Sequence, residues 1–295
     1  MNFDKIVDEL SELSKYENLY HATINDTPMP SVSDLQSIVD NLNIVLFPGF
    51  FGESELKKET VKYYIGAILD KIHIMLTEQI KRGFCFACTE SKSDCENCAY
   101  KAKDCASSFI EKLPKIKHLL STDVVAAYNG DPASSSYGET IYCYPSIIAL
   151  THYRIAHELL LLGVPLIPRI ITEISHSKTG IDMHPCASIG EYFFIDHGTG
   201  VVIGETTVIG KNVRLYQGVT LGAKSFPLDA NGKPIKGIPR HPLVEDDVII
   251  YSNVTILGRV TIGKGAVIGG NMWITKDVKE GEKIIFKSHT SNDSF

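Results

Sequence analysis

Three short polar groups interrupt an otherwise apolar, glycine-rich stretch in the second half of the chain. They are Asp182 and His184 in GIDMHP, Asp196 and His197 in FIDHGTG, and Arg240 and His241 in IPRHP. Histidine, with an unperturbed pKa of ~6.5, is the side chain best suited to move a proton near neutrality. A carboxylate on one ring nitrogen fixes the tautomer and leaves the other nitrogen as a general base. Asp182 and His197 stand fifteen residues apart, a little under the ~18 residues of one coil built from three six-residue repeats. Neighbouring coils would bring them together, so the two are expected to act as a pair. His184, followed directly by Pro185, reads first as a turn residue.

A second constellation lies upstream. Five of the seven cysteines fall in Cys85–Cys105, spaced C85-x2-C88-x6-C95-x2-C98-x6-C105. Paired C-x-x-C units present four thiolates tetrahedrally to zinc, which makes Cys85, Cys88, Cys95 and Cys98 candidate structural zinc ligands. An iron–sulfur site, a redox dithiol and helix-borne free thiols compete with zinc, while a reducing compartment argues against permanent disulfides. Cys143 and Cys186 are isolated and read as core or near-site bystanders.

These groups must be held by two kinds of element. From Ile203 onward an aliphatic residue recurs at steps of six (Ile203, Ile209, Leu215, Leu221), and again, more strictly, at Val244, Ile250, Ile256, Ile262, Ile268 and Ile274. Upstream, Ile181, Ile189 and Ile195 lead into the series. Such a period fits a parallel β-helix, each hexad one short strand and a turn, and not a β-sandwich with chance spacing. The tract Ala223–Pro242 breaks the period and is expected to leave the coil as a loop, residues 223–243, on a binding face. Gly258–Lys264 imitates a phosphate-binding loop, but its glycines fall on hexad corners and Gly265 replaces the required hydroxyl residue, so it reads as repeat.

Residues 1–178 read instead as helical. Lys58–Arg82 and Ser107–Leu120 are amphipathic, the latter with Pro114 as an expected break or kink, and Ser146–Leu162 stops at Gly163 and Pro165. Asn129–Glu139 is rich in turn residues. The fold class is therefore α+β: a helical N-terminal domain (1–178), a β-helix domain (179–280) and a tail (281–295).

Bulk properties narrow the class. The chain has 295 residues, 29 Lys and Arg against 35 Asp and Glu, and a formal charge of −6. That acidic balance offers no electrostatic reason for nucleic acid or an anionic membrane as partner. The apolar run Leu159–Pro168 is half of the ~20 residues a membrane span needs. The N-terminal MNFDKIVDEL carries early acids and no apolar core of a signal peptide, so the expected location is cytoplasmic.

The ordered series DPAS, THYRIAHELL, GIDMHP, IDHGTGVVIGET, VTLGAKS and RHP, followed by strict hexads, resembles the bacterial-type serine acetyltransferases, hexapeptide acyltransferases with a left-handed β-helix. The resemblance covers roughly residues 105 to 278. It implies that His197 is the general base and Asp182 its orienting partner in transfer of acetyl from acetyl-CoA to L-serine, giving O-acetylserine, the precursor of cysteine. The absence of a G-x-S-x-G or other nucleophile motif agrees with direct attack. By the same resemblance Asp131 and Asp196 hold the ammonium of serine, and Arg240 and His241 its carboxylate. CoA lies along the β-helix between subunits, with Gly222, Ala223 and Lys224 at the loop entrance. A trimer or dimer of trimers is implied, with L-cysteine as a feedback inhibitor. Family members that dock into O-acetylserine sulfhydrylase end in isoleucine, whereas this chain ends in Phe295, which argues against that complex. The competing readings are a same-fold acyltransferase for homoserine or an amino sugar, and a non-catalytic, metal-binding β-helical scaffold.

Overall fold

The computed structural model describes residues 3–21, 27–53, 55–88 and 95–286, the side chains of Cys95 and Glu96 excepted. Among the described residues seven α-helices come first: α1 (Phe3–Leu10), α2 (Val32–Leu46), α3 (Val61–Ala87), α4 (Cys95–Gly130), α5 (Tyr137–Cys143), α6 (Pro145–Leu161) and α7 (Ile167–Thr179). Ser31 caps α2 by accepting the Asp34 N–H at 3.2 Å, and one face of that helix buries Leu35, Ile38, Val39 and Leu42. α6 starts on Pro145, whose fixed φ suits the first turn, and is buried on almost every side, including Arg154 and Glu158. α7 ends where Gly180 takes a left-handed φ of 69°, the conformation glycine adopts without a Cβ penalty.

Two expectations about the helices are corrected. Of the break or kink expected at Pro114, the break is excluded: α4 runs through it from Cys95 to Gly130. A proline removes one backbone hydrogen bond at a cost of ~3 kcal/mol. Phe109, Leu113, Ile116 and Leu120 are all buried around it, each worth ~1.5–3 kcal/mol, so the packed face wins. The turn-rich tract is also shorter than its composition suggests, because α4 extends to Gly130 and α5 begins at Tyr137.

The second half winds into a three-sided parallel β-helix. Its first coil carries β1 (Asp182–Met183), β2 (Ser188–Ile189) and β3 (Phe194–Ile195), and its second β4 (Val202–Ile203), β5 (Val208–Ile209) and β6 (Arg214–Leu215). The third has β7 (Thr220–Gly222), β8 (Leu243–Val244) and β9 (Ile249–Ile250), and the fourth β10 (Thr255–Leu257), β11 (Thr261–Ile262) and β12 (Val267–Ile268). β13 (Trp273–Ile274) and β14 (Lys283–Ile284) close the stack. The faces are β1-β4-β7-β10-β13, β2-β5-β8-β11 and β3-β6-β9-β12-β14, every pairing parallel. The hexad residues from Ile189 to Ile274 point inward and are buried.

The register corrects one hexad assignment and exposes an irregularity. Met183, not Ile181, pairs with Ile203 and occupies the inward position of the first coil. Met183, Ile189 and Ile195 then follow at steps of six, but Met183 and Ile203 are 20 residues apart, against 18 for Ile203 and Leu221. The two extra residues fall in the corner after β3, the corner that contains His197. The far larger insertion falls between β7 and β8, as expected from the broken period.

Candidate active site

His197 sits in the enlarged corner with φ 57°, a left-handed conformation that a non-glycine residue rarely holds without surrounding constraint. The constraint is visible next door. Gly198 has φ 90°, and a Cβ there would stand 2.4 Å from Ile181 Cδ1. The Gly200 N–H donates to the Gly180 carbonyl at 2.9 Å. The corner is thus folded back onto the end of α7, and the imidazole projects outward, 74% exposed. Its Nε2 is 3.8 Å from Asp196 Oδ1.

The helical half delivers a second carboxylate to this corner. Gly130, at the end of α4, lies so close to β3 that a Cβ would stand 2.7 Å from Phe194 Cδ1. That docking carries Asp131, the next residue, toward His197, 66 positions further along the chain. Asp131 Oδ1 accepts the Ala133 N–H at 2.8 Å, and Oδ2 accepts the Tyr144 hydroxyl at 2.5 Å. The Tyr144 bond first, then the Ala133 N–H and the nearby His197, hold the Asp131 carboxyl below the usual carboxylate range.

Asp182 borders the same corner, its N–H donating to the Val201 carbonyl at 2.9 Å. No hydrogen bond or ion pair joins it to His197 in the single chain, whose imidazole lies nearer Asp196. On its α7 side, Glu173 and His176 bring ligand-type atoms within 4.8 Å of an Asp182 carboxylate oxygen and of each other. Asp182 and His197 thus border one corner without a direct contact.

Arg240 and His241 occupy a different corner. They follow the inserted loop and pack against Glu205 and Thr206, just past β4. Arg240 Nη2 pairs with Glu205 Oε2 at 2.5 Å. Thr206 Oγ1 accepts the backbone N–H groups of Arg240 (2.8 Å) and His241 (3.1 Å). His241 Nδ1 accepts the Thr206 N–H at 3.1 Å, which leaves the neutral ring's proton on Nε2. Burial, then the charge of Arg240, lowers the His241 pKa to about 4, so the ring is a neutral donor at physiological pH. Burial and Arg169 lower that of His184 as well. His184 does make a turn contact, accepting the Cys186 N–H at 3.1 Å, yet its electrostatic neighbours include Asp182, Glu205 and Arg240.

The acidic corner (Asp131, Asp196, His197) and the basic corner (Arg240, His241, with Glu205) flank opposite ends of β4, on the two edges of one face. One chain does not bring them together. Sequence reasoning missed Glu205, Thr206 and Tyr144. The first two lie in the GET run directly after a hexad glycine, where a charged residue in a tight corner was the available signal; Tyr144 carried none.

Gly222 ends β7 and Ala223 starts the loop, which projects Lys224 into solvent. The loop folds back on itself as a hairpin, with Leu228 bridged to Pro234 and Asp229 Oδ1 accepting the N–H groups of Asn231 and Lys233. Gly258–Lys264 forms a β-helix corner and strand, as expected of a repeat. Cys85 and Cys98 are buried and Cys88 and Cys105 half-buried where α3 and α4 meet. Cys105 Sγ donates to the Leu162 carbonyl at 3.6 Å. The Cys95 side chain and Phe295 lie outside the described residues. No helix among the described residues is long and apolar enough to cross a membrane.

No protein-family model matches the chain. A plasmid-borne serine acetyltransferase of Synechococcus elongatus is 50% identical across 99% of this chain and 92% of its own length. The serine acetyltransferase of Bacillus pumilus is 42% identical over 57% of this chain and 73% of its own. Among solved structures, serine acetyltransferase 1 of Entamoeba histolytica in complex with L-cysteine superposes with a TM-score of 0.74 at 36% identity, covering 96% of this chain and 97% of its own. That agreement extends through the helical half and the left-handed β-helix alike. With a half-identical relative matched almost end to end, the chain belongs to the serine acetyltransferase family.

Proposed function

We propose that this protein transfers the acetyl group of acetyl-CoA to the hydroxyl of L-serine, releasing CoA and O-acetylserine as the first step of cysteine biosynthesis. Family membership supplies the reaction. The observation on this chain that carries it is the meeting of Asp131, Asp196 and His197 at one corner: two carboxylates for an ammonium beside an exposed imidazole for a hydroxyl proton.

In this reading His197 takes the proton of the serine hydroxyl as the oxygen attacks the thioester carbonyl. The C–S bond of the tetrahedral intermediate then breaks, and the sulfur of CoA leaves with the proton returned from the imidazolium. Asp131 and Asp196 hold the ammonium, and Arg240 and His241 the carboxylate; Glu205 fixes the guanidinium in advance. Asp182 acts from the edge of the corner as orienting partner. Gly222, Ala223 and Lys224 border the path of CoA. Because the two corners lie apart on one chain, the complete serine site is formed between neighbouring copies in a trimer or dimer of trimers. L-cysteine, with the same ammonium and carboxylate, would compete there. The chain would work in the cytoplasm.

A structural zinc site at Cys85, Cys88, Cys95 and Cys98, between α3 and α4, is proposed on the C-x-x-C spacing alone; among the described residues only Glu173, His176 and Asp182 bring three ligand-type atoms within 4.8 Å of one another. About one zinc per chain, lost with the Cys98→Ser variant, is expected by elemental analysis; metal-free, stably folded protein would leave the thiols as packing groups.

His197→Ala tests the enzymatic reading. Turnover in a CoA-release assay with acetyl-CoA and L-serine should fall by ~10²–10⁴-fold, the range for loss of a general base, with the fold unchanged. An undiminished rate would remove His197 from the mechanism.

A further inference from the structure

Tyr144 belongs to no motif in the series DPAS to RHP, yet it makes a short contact with a proposed substrate group. Its hydroxyl donates to Asp131 Oδ2 at 2.5 Å, while the Ala133 N–H donates to Oδ1 at 2.8 Å. An ionised carboxylate offers about four acceptor positions on its two oxygens. One on each oxygen is taken by a fixed donor, so the carboxylate plane is set and one acceptor position per oxygen remains.

Both donors are anchored. Asp131 leaves the end of α4 with its N–H on the Ala127 carbonyl at 3.1 Å. Tyr144 is the residue before α6, held by Pro145 in the first turn of that helix, and its ring packs half-buried on the core. Burial and the Asp131 carboxylate push the phenol up to about 12, so it stays a donor throughout the working pH range. The carboxylate is thus clamped between the end of one helix and the start of another, within electrostatic reach of His197.

We propose that Tyr144 is a positioning residue of the acceptor site: its hydroxyl locks the Asp131 carboxylate so that the remaining acceptor positions meet the ammonium of an α-amino acid acceptor. This rests on the reading of Asp131 as the partner of that ammonium. A carboxylate fixed before the substrate arrives loses no rotational freedom on binding, and it keeps one open acceptor position on each oxygen for an ammonium. Tyr144 touches Asp131 and not the reacting atoms, so its effect belongs in acceptor binding and not in the chemical step.

The test is steady-state CoA release by the full-length protein, with L-serine and acetyl-CoA each varied, for wild type, Tyr144→Phe and Asp131→Asn. Phenylalanine keeps the ring and its packing and removes the oxygen alone. Tyr144→Phe should raise KM for L-serine about tenfold, in line with loss of a hydrogen bond to a charged group, leaving kcat, KM for acetyl-CoA and the thermal midpoint as in wild type. Asp131→Asn should raise KM for serine more. An unchanged serine KM in Tyr144→Phe beside a raised one in Asp131→Asn overturns the role of Tyr144 alone. An equal rise of both KM values in Tyr144→Phe also overturns it, since that is general distortion. An unchanged serine KM in Asp131→Asn removes the ammonium reading and the proposal with it.

Discussion

Arg154 of α6 and Asp123 of α4 form one buried, two-pronged pair that also bonds to the first coil of the β-helix. Arg154 Nε meets Asp123 Oδ2 at 2.6 Å and Nη2 meets Oδ1 at 2.8 Å. Two further guanidinium hydrogens reach the carbonyls of Ile189 (3.3 Å) and Gly190 (2.9 Å), and Asp123 Oδ1 also accepts the Phe193 N–H at 3.1 Å. Two helices, α4 and α6, are thereby fastened to the first coil beside β3, and with them Asp131 is set against His197. Removing the cation leaves a buried carboxylate without its partner, which costs ~3–5 kcal/mol. Arg154→Met should therefore lower stability by that amount in urea titration.

The arrangement of two half-sites predicts complementation. His197→Ala and Arg240→Ala should each be nearly inactive as pure proteins. Co-refolded in equal amounts, random assembly of a cyclic oligomer gives roughly a quarter of the sites one intact acidic corner and one intact basic corner. Activity should recover to about that fraction of wild type. Mixed oligomers with no recovery would mean that a single chain holds the whole site.

Gly204 is a space requirement and not a backbone one. A Cβ there would stand 2.1 Å from His241 Cδ2 and 2.3 Å from Nε2. Gly204→Ala should displace the imidazole and raise KM for serine, and overpacking should cost ~1–3 kcal/mol. A serine KM equal to wild type would show that the His241 ring has no part in acceptor binding.

Stability should fall on mild acidification. The folded state holds His241 at about 4 and lowers His184 and His152, all chiefly through burial. Between about pH 4 and the ordinary histidine value of ~6.5 the unfolded chain binds more protons than the folded one, so stability decreases as pH drops through that window. Below about pH 4 both states hold the His241 proton and its contribution levels off. Urea midpoints at pH 7.5, 6 and 5 should decline, and His241→Gln should flatten the decline; an unaltered slope in that variant would contradict the assignment.

The β-helix was readable because its inward residues repeat every six positions, and that regularity comes from packing and not from any one contact. Methionine is not counted with the aliphatics, so the sequence puts the first inward position on Ile181 where the structure puts it on Met183. A break at Pro114 is suggested because proline's local cost is visible in a sequence, whereas the buried face that offsets it depends on α3 and α6. The histidines and acids of the site stood out as polar breaks in an apolar register. Their partners are less legible: Tyr144, Glu205 and Thr206 act through contacts across 13 to 35 residues of chain, and only the GET corner of Glu205 and Thr206 carries a local signal.

The most direct measurement is CoA release from acetyl-CoA by the purified protein with L-serine, beside homoserine, glucosamine and no acceptor. Release with serine well above every other condition is the predicted result. Release that favours homoserine or glucosamine, or none at all from folded protein, would contradict the assignment of serine as acceptor.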